Sequence, residues 1–454
     1  MSGASGSIDV TSVSVVGLGY VGLTVAAVLA SRGFRVTGID VDRERVSAVS
    51  SGRCPIHEPG LDRLVRRSVS RGTLAATTDY TAVRETSVTF VTVGTPSNSD
   101  GSIDLRYVRE ASRSIGEALR GKPDGHLVVV KSTVVPGTTG KVVVPTLESS
   151  SGKRVGEGLF VCVNPEFLRE GSAVRDMLEP DRIVLGDAGD GSSDLLLELY
   201  RRLYRRRMPP VLKTNYVNAE LIKYANNVFL AARVSLINEF ANLCQLIPGA
   251  DVKVVAEGIG LDERIGPHFL RAGIGFGGSC FPKDIRAIVA LSRELGHDPR
   301  ITRAVYEVNE LQPSVVVRTA EELLGDLMGK RVAVLGLAFK PNTDDVRESP
   351  ALKLVRLFAQ RGAEVRAYDP AAGENARREL GDTAEVVGSV EECLEGADLC
   401  VLATEWDQFR SLRPEVFASL MKEPALIDGR RVYDPKEFSG KFRFRAIGLG
   451  PADG

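Results

Sequence analysis

The chain has 454 residues, of which 43% are hydrophobic and 26% charged, a composition typical of a globular protein with roughly two to four domains. Its net charge of −1 provides no global field that would attract nucleic acid or an anionic membrane. Six separated cysteines form no C-x-x-C pair, which argues against a zinc or redox dithiol site and favours a reducing compartment. Residues 1–9 do not resemble a signal peptide, and no apolar run reaches the about 20 residues of a membrane span, so we expect a cytoplasmic protein without a metal site.

The first predicted elements form a strand–helix–strand unit that ends at Asp40. Its turn has the G-x-G-x-x-G spacing at Gly17, Gly19 and Gly22, which permits a tight turn, close approach of a pyrophosphate and close helix–strand packing. Asp40 follows Gly22 by 18 residues and can accept hydrogen bonds from a ribose hydroxyl, so the pattern predicts an NAD site rather than an NADP site. Arg45 either flanks the adenosine or belongs to a solvated helix face.

Polar residues follow the next predicted strands. Thr95 comes after one strand, Ser132 and Thr133 come after the next, and Glu166 comes after a third. Ligands of open parallel sheets bind at the carboxyl ends of strands, so these side chains suit a nicotinamide ribose or a sugar. Ordinary turn chemistry explains the hydroxyl residues equally well.

A long helix is predicted from Tyr216, because apolar residues recur at three- and four-residue steps as far as about residue 247. We expect this helix to be largely buried and to bridge two domains. Lys223 and Asn227 lie four residues apart and therefore share one face. A lysine in such a helix either acts in a cleft or extends its ammonium group to solvent.

Residues 273–284, GIGFGGSCFPKD, place four glycines around Cys280 and put Lys283 and Asp284 directly after it. Glycine is poor core filler but lets a ligand approach the backbone. Residue 281 is expected to open a helix, whose dipole, together with Lys283, favours the reactive thiolate. The pattern therefore favours a catalytic nucleophile over an inert buried thiol.

The C-terminal third repeats the opening plan of strand, turn, helix and strand, here ending at Asp369. Its turn has lost the glycine spacing, and Lys340 and Arg347 could neutralise phosphates. The predicted fold is α/β, with two Rossmann-like parallel-sheet domains joined by a long central helix and a small helical domain. The expected domains are residues 1–210, 211–310 and 311–454.

An NAD fold combined with a nucleophilic cysteine suits oxidation of an alcohol through an aldehyde to an acid. A cysteine thiolate converts the aldehyde to a thiohemiacetal, loss of hydride gives a thioester, and water releases the carboxylate. A neighbouring aspartate can accept a proton, and a lysine can stabilise alkoxide charge.

From about residue 11 to residue 435, the chain resembles the UDP-glucose/GDP-mannose dehydrogenase family. The matching motifs are VVGLGYVG, VGTPS, KSTVVPGT, NPEFLREG, NAELIKYANN, RIGPHFLRAGIGFGGSCFPKD, GLAFKPNTDDVRES and DGRR. The resemblance implies oxidation of a nucleotide sugar at C6 with two NAD and one water.

The resemblance also implies roles for individual positions. It implies Cys280 as nucleophile, Lys223 and Asn227 as the oxyanion-stabilising pair, Asp284 as the residue that positions water or aids proton transfer, and Thr133 and Glu166 in proton handling and thioester hydrolysis. With the residues derived above, the expected NAD-binding positions are Gly17, Gly19, Tyr20, Val21, Gly22, Asp40, Arg45, Thr95, Ser132, Thr133, Glu170, Lys283 and Arg347. The expected substrate-binding positions are Glu166, Phe167, Leu168, Lys223, Asn227, Arg264, Arg271, Ile274, Gly275, Phe276, Gly277, Phe339, Lys340 and Arg430.

The implied partner is a UDP-sugar, with neither nucleic acid nor membrane. Arg264 matches an arginine that reaches the sugar of a neighbouring subunit, which implies a homodimer through the central helix. Within the family, the motifs around residues 165–186 and 265–284 are most similar to the branch that oxidises UDP-glucose to UDP-glucuronate. The alternatives are oxidation of GDP-mannose or a UDP-N-acetylhexosamine, a two-electron hydroxyacid dehydrogenase, and a non-catalytic NAD(H) sensor.

Overall fold

The computed structural model describes residues 8–440 and 442–451. The chain divides into two compact units, one extending to Ala225 and the other beginning at Asn226. Among the described helices, none combines the length and the apolar character that crossing a membrane requires.

The first unit is built on one large sheet. Its strands are β1 (Ser12–Val16), β2 (Arg35–Ile39), β3 (Leu74–Thr77), β4 (Val88–Val91), β5 (His126–Val130), β6 (Arg154–Val155), β7 (Gly158–Val163), β8 (Ile183–Asp187) and β9 (Val211–Asn215). Within the described residues their order is β3-β2-β1-β4-β5-β7-β8-β9, with β6 paired to β7. The β7–β8 pair is antiparallel, and the other pairs are parallel.

The helices of the first unit cover both faces of this sheet. They are α1 (Tyr20–Ser31), α2 (Arg43–Ser50), α3 (Leu61–Ser70), α4 (Arg106–Leu119), α5 (Val144–Ser151), α6 (Ala173–Leu178) and α7 (Ser192–Leu203). Leu127 and Val129 of β5 pack in one apolar cluster, while Val128 and Val130 pack in another. Alternate residues of this central strand are therefore buried on opposite faces, as expected for a parallel sheet covered on both sides.

Helix α8 (Tyr216–Cys244) begins in the first unit and ends in the second. It is the long helix that the sequence predicts. The expectation that it is largely buried is wrong for a row of apolar side chains, because Phe229, Leu236 and Leu243 are 67%, 57% and 51% exposed. Three- and four-residue spacing identifies an apolar face but does not say what covers that face.

The second unit contains a second sheet and the remaining helices. Its strands are β10 (Arg331–Leu335), β11 (Glu364–Tyr368), β12 (Glu385–Val386), β13 (Leu399–Leu402), β14 (Ala425–Asp428) and β15 (Arg443–Ala446). Its helices are α9 (Val252–Gly260), α10 (Phe281–Glu294), α11 (Arg300–Leu324), α12 (Pro350–Gln360), α13 (Gly373–Leu380), α14 (Val390–Leu394), α15 (Asp407–Arg410), α16 (Pro414–Leu420) and α17 (Pro435–Phe438). In the described residues the strand order is β12-β11-β10-β13-β14-β15, and every pair is parallel.

The two sheets repeat the same local plan at the first strand–helix turn. The N–H of Gly17 donates to the carbonyl of Ile39 at 2.7 Å, and the N–H of Gly336 donates to the carbonyl of Tyr368 at 2.8 Å. Both sheets contain the strand order of a Rossmann fold, and the first extends it beyond β7 with β8 and β9. The predicted α/β class, with two parallel-sheet Rossmann-like domains and a long helix, is confirmed.

Candidate active site

The turn between β1 and α1 has the backbone that an NAD pyrophosphate requires. Gly17 has a φ of +93°, which side-chain-bearing residues rarely adopt. A Cβ on Gly22 would lie 1.8 Å from the carbonyl oxygen of Gly17, so any larger residue would push the helix away from the turn. Tyr20 and Val21 form the first turn of α1 and lie within the same loop-to-helix transition. The residues present therefore fit a dinucleotide phosphate at a helix N-terminus.

Asp40 lies at the end of β2 and is buried. Its Oδ2 accepts hydrogen bonds from the N–H of Leu18 at 2.6 Å and from Nη1 of Arg45 at 3.1 Å. Its Oδ1 accepts from the N–H of Asp42 at 2.9 Å. The structure thus places Arg45 beside Asp40 rather than on a purely solvated face. The carboxylate of Asp40 also connects the end of β2 to the glycine turn through the N–H of Leu18.

Glu58 is a buried residue near this turn that sequence reasoning missed. Its Oε2 accepts from the hydroxyl of Tyr20 and from the N–H of Gly171, both at 2.7 Å, and its Oε1 accepts from the N–H of Ala173 at 2.8 Å. Glu58 therefore fixes Tyr20 of the glycine turn against the segment that follows Glu170. No motif marks it, because its partners lie up to 115 residues away in the chain.

The loop after β5 carries Ser132 and Thr133, both partly buried. Ser132 Oγ donates to the carbonyl of Val93 at 2.7 Å, which joins this loop to the one that contains Thr95. Glu220 of α8 accepts from the N–H of Gly137 at 2.5 Å and from that of Thr139 at 2.8 Å. The predicted hydroxyl residues thus lie in two joined loops at the carboxyl end of the first sheet, where a ligand of this fold binds.

Glu166 and Lys223 form a buried ion pair in the first unit, with 2.8 Å between Oε1 and Nζ. The N–H of Leu168 donates to the other oxygen, Oε2, at 2.6 Å. Burial opposes ionisation of Glu166, but the charge and hydrogen bond of Lys223 outweigh it, so the pKa of Glu166 lies below its usual value. The alternative that Lys223 extends to solvent is wrong, because the ammonium points inward to a carboxylate. Phe167 completes the group, with Lys223 Nζ 5.5 Å from the centroid of its ring.

In the second unit, Cys280 is the N-cap residue of α10 and is exposed, whereas the other described cysteines are buried or partly buried. Asp284 lies one turn into this helix and is almost completely buried. Its Oδ2 accepts from Nδ2 of Asn227 at 2.7 Å, and its Oδ1 from Nζ of Lys283 at 2.7 Å. The thiol therefore lies at the positive end of a helix, followed by a carboxylate whose orientation is fixed on both sides.

The glycines around Cys280 face protein neighbours. A Cβ on Gly277 would lie 2.4 Å from the carbonyl oxygen of Glu348, and one on Gly278 would lie 2.7 Å from the ring of Phe339. Gly275 has a φ of +103°. The interpretation that these glycines let a ligand approach the backbone is thus incomplete, because at these positions they also allow the loop to pack closely against its own unit.

The loop of residues 271–278 is held by buried amide side chains. Asn309 of α11 accepts from the N–H of Phe276 at 2.7 Å and donates to its carbonyl at 3.0 Å, and Asn238 of α8 accepts from the N–H of Gly273 at 2.8 Å. Arg430 donates to the carbonyls of Gly275 and Ala403 at 3.2 and 2.6 Å.

Two residues predicted to bind substrate lie beside this loop in the second unit. The ring of Phe339 lies against Gly278, and Nζ of Lys340 is 5.3 Å from the centroid of that ring. Ile274 is fully buried within the loop. These positions, with Gly275, Phe276, Gly277 and Arg430, form one cluster within the second unit.

Three predicted arginines lie on the surface of the second unit. Arg264 pairs with Asp262 at 2.6 Å, Arg347 pairs with Asp345 at 2.6 Å, and Arg271 lies 3.8 Å from a carboxylate oxygen of Glu405. Each has a mostly exposed side chain. Their assignment to substrate or NAD stays a prediction.

Three models of one family match the chain in succession. Residues 11–204 match the NAD binding domain of the UDP-glucose/GDP-mannose dehydrogenase family, residues 217–311 match its central domain, and residues 333–435 match its UDP binding domain.

Curated relatives match over nearly the whole chain. The UDP-glucose 6-dehydrogenase AglM of Haloferax volcanii is 49% identical over 93% of this chain and 97% of its own length. The UDP-glucose 6-dehydrogenase TuaD of Bacillus subtilis is 40% identical over 96% of this chain and 93% of its own. The solved structure of a UDP-glucose dehydrogenase from Pyrobaculum islandicum superimposes with a TM-score of 0.90 at 42% identity and covers 99% of this chain and 100% of its own. The chain belongs to the UDP-glucose/GDP-mannose dehydrogenase family and is an NAD-dependent oxidoreductase.

Proposed function

We propose that this chain oxidises UDP-glucose at C6 to UDP-glucuronate, using two NAD⁺ and one water and releasing two NADH. The observation that carries the proposal is the exposed thiol of Cys280 at the start of α10, one turn before the buried carboxylate of Asp284. A two-electron dehydrogenase has no need of a nucleophilic thiol. The relatives named as UDP-glucose 6-dehydrogenases favour this sugar over the alternatives within the family.

The first half of the reaction converts the C6 alcohol to an aldehyde. The glycine turn at Gly17–Gly22 would hold NAD⁺, and the bound cofactor would supply the hydride acceptor. The alcohol proton passes to a base, for which Asp284 is the candidate, directly or through a water that it orients. Lys223 and Asn227 donate to the developing oxyanion and lower its energy.

The second half forms and breaks a bond to sulfur. The thiolate of Cys280 adds to the aldehyde carbon, and the resulting thiohemiacetal loses hydride from C6 to become a thioester. Water then attacks the thioester carbon and the thiolate leaves, which yields the carboxylate. Glu166, assisted by Thr133, accepts the proton of that water.

The proposed substrate-binding residues of the second unit are the cluster around residues 271–278 with Phe339, Lys340 and Arg430. Those of the first unit are Phe167 and Leu168. A family model for a UDP binding domain over residues 333–435 supports this assignment. The three family matches also support the proposed division into residues 1–210, 211–310 and 311–454.

The proposed assembly is a homodimer through α8. Phe229, Leu236, Phe240 and Leu243 are exposed apolar residues on this helix. Their positions repeat at intervals of seven, four and three residues, which places them along one face. A partner chain would cover this face, and Arg264 would be available to it. The proposed location is the cytoplasm, where NAD and nucleotide sugars occur together and a thiol stays reduced.

The product stoichiometry over a panel of sugar nucleotides tests the proposed reaction. UDP-glucose, GDP-mannose and UDP-N-acetylhexosamines are each supplied in limiting amount with excess NAD⁺, and NADH and the product mass are measured. We expect two NADH per UDP-glucose and the mass of UDP-glucuronate. Two NADH from another sugar nucleotide would replace the proposed substrate but leave the mechanism unchanged. One NADH per sugar nucleotide would indicate a two-electron dehydrogenase. No NADH from any substrate would support a non-catalytic NAD(H) sensor.

A further inference from the structure

Lys131 is a buried lysine to which neither the family resemblance nor the proposed mechanism gives a role. It directly follows β5 and is 4% exposed. Its Nζ donates to Oδ1 of Asn164 at 2.9 Å and lies 3.5 Å from the carbonyl oxygen of the same residue. A buried ammonium group is costly, so its environment must compensate for the charge.

Asn164 connects Lys131 to the candidate active site. It follows β7 directly, and Glu166 comes two residues later in the chain. Nδ2 of Asn164 donates to the carbonyl of Val184 at 2.9 Å, and the hydroxyl of Tyr200 donates to its Oδ1 at 2.5 Å. Lys131 thus supplies the second donor to a buried amide that fixes the strand end carrying Glu166.

Lys131 also contributes charge. Glu166 and Lys223 are 6% and 4% exposed, so the buried group contains two lysines and one carboxylate. Lys131 and Glu166 line the same cavity of about 300 Å³. Lys131 attracts Glu166 and repels Lys223. The other ionisable groups near Lys131 are Cys162 of β7 and Tyr200 of α7.

The remaining charged residues that line this cavity are three arginines and three acidic residues, so their formal charges cancel. They are Arg169, Arg175, Asp176, Glu179, Asp181 and Arg182. Burial, reinforced by repulsion from Lys223 and opposed by Glu166, lowers the pKa of Lys131 to about 8. Lys131 is therefore still mostly protonated near neutral pH, although it binds its proton less tightly than an exposed lysine does.

We propose that Lys131 is a positioning residue that holds the strand end of Glu166 through Asn164 and supplies the second positive charge that keeps Glu166 ionised. This proposal rests on the proposed function, since Glu166 and Lys223 are assigned there as proton acceptor and oxyanion donor.

The test compares Lys131→Met and Lys131→Gln with Tyr200→Phe as the matched control. Each of the three changes alters one buried hydrogen bond to Asn164, but only the lysine variants remove a charge. kcat is measured from pH 5 to pH 10 at saturating UDP-glucose and NAD⁺, with circular dichroism to establish folding. With Lys131 neutralised, the acid limb of the profile should move to higher pH by about half a unit to one unit.

This direction follows from the signs of the charges. Glu166 loses a stabilising cation, so its carboxylate protonates at higher pH and the acid limb rises. Tyr200→Phe should leave the acid limb in place.

Three outcomes would overturn the proposal. The lysine variants could lose kcat evenly with an unmoved acid limb, Tyr200→Phe could shift the acid limb equally, or neither lysine variant could fold, in which case Lys131 is a structural residue. If wild-type protein oxidises a different sugar nucleotide, the profile is measured with that substrate. Failure of the UDP-glucose assignment is thereby separated from failure of the Lys131 proposal.

Discussion

Nδ2 of Asn227 and Nζ of Lys283 bind opposite oxygens of Asp284, each at 2.7 Å, and Asp284 is only 1% exposed. The carboxylate therefore has a single orientation, set by α8 on one side and by its own helix on the other. A base with a fixed orientation contributes to catalysis through its position as well as through its affinity for the proton.

Replacing Asp284 with Asn should lower kcat by about 10²- to 10⁴-fold, the usual contribution of a positioned acid or base. The side chain keeps its shape but can no longer accept a proton. Glu294→Gln is the control, because Glu294 is an exposed acid at the end of the same helix. Steady-state kinetics and thermal unfolding of both variants provide the measurement, and a folded Asp284→Asn protein with near wild-type kcat would contradict the assignment.

Cys280→Ser should abolish release of the acid product and leave at most one NADH per UDP-glucose. Serine retains the position but forms no thioester. Cys54→Ser should keep the two-NADH stoichiometry, because Cys54 is partly buried and burial raises the pKa of its thiol.

Alkylation gives an independent measurement on the wild-type chain. Iodoacetamide at neutral pH should modify Cys280 before the other cysteines, with activity lost in proportion, as followed by peptide mass spectrometry. Early modification elsewhere, with Cys280 intact and activity lost, would refute the role of this thiol.

Neutralising Glu166 should destabilise the first unit, because Lys223 would keep a buried charge without its carboxylate partner. Glu166→Gln should lower the free energy of unfolding by an amount on the order of 3 kcal/mol, the usual cost of removing one partner of a buried ion pair. The measurement is urea unfolding followed by circular dichroism. The double variant Glu166→Gln/Lys223→Met should recover part of the loss, and strict additivity of the two single changes would indicate that the pair is not coupled.

The sequence was informative where function depends on residues close together in the chain. The turn at Gly17–Gly22, the acid at Asp40 and the thiol at the start of α10 are local patterns with fixed spacing, and the structure contains each of them. The two strand–helix–strand units and the long helix α8 followed from the same local periodicity.

Residues that act across the fold could not be found in this way. Glu58 binds groups at Gly171 and Ala173, and Asn309 binds Phe276 from 33 residues away. None of these partners is marked by spacing, since only tertiary packing brings them together. The burial of Lys223 was undetermined for the same reason, because a helix pattern does not show which residue faces the ammonium.

Leu236→Lys should convert the proposed homodimer to monomer. Leu236 lies on the exposed apolar face of α8, and a buried ammonium at a self-complementary interface would meet its own copy or an apolar partner. Sedimentation velocity measures the change. Ile301→Lys is the control, since Ile301 is an exposed apolar residue at the start of α11. Wild-type protein that sediments as a monomer at micromolar concentration would contradict the assembly.

His126 belongs to a network with four other polar groups in the interior of the first unit. Its Nε2 lies 2.7 Å from Oγ1 of Thr89, which in turn lies 2.6 Å from Oγ of Ser14. Nζ of Lys122 lies 3.1 Å from Nδ1 and also bonds the carbonyl of Thr86. Because an ammonium group only donates, Nδ1 must accept, and the neutral ring carries its proton on Nε2.

Acid should therefore destabilise the first unit through His126. Burial, reinforced by the charge of Lys122, lowers the pKa of His126 from 6.5 to about 3. The unfolded chain binds this proton below pH 6.5 while the folded chain resists it, so stability is complete above pH 6.5 and is lost as pH falls toward 3. The full loss is on the order of 5 kcal/mol. Urea unfolding at intervals from pH 7.5 to pH 4 should show a steeper loss for wild type than for His126→Asn, whereas the exposed-residue control His297→Asn should follow wild type. Parallel curves for wild type and His126→Asn would mean that the ring is not held neutral by its surroundings.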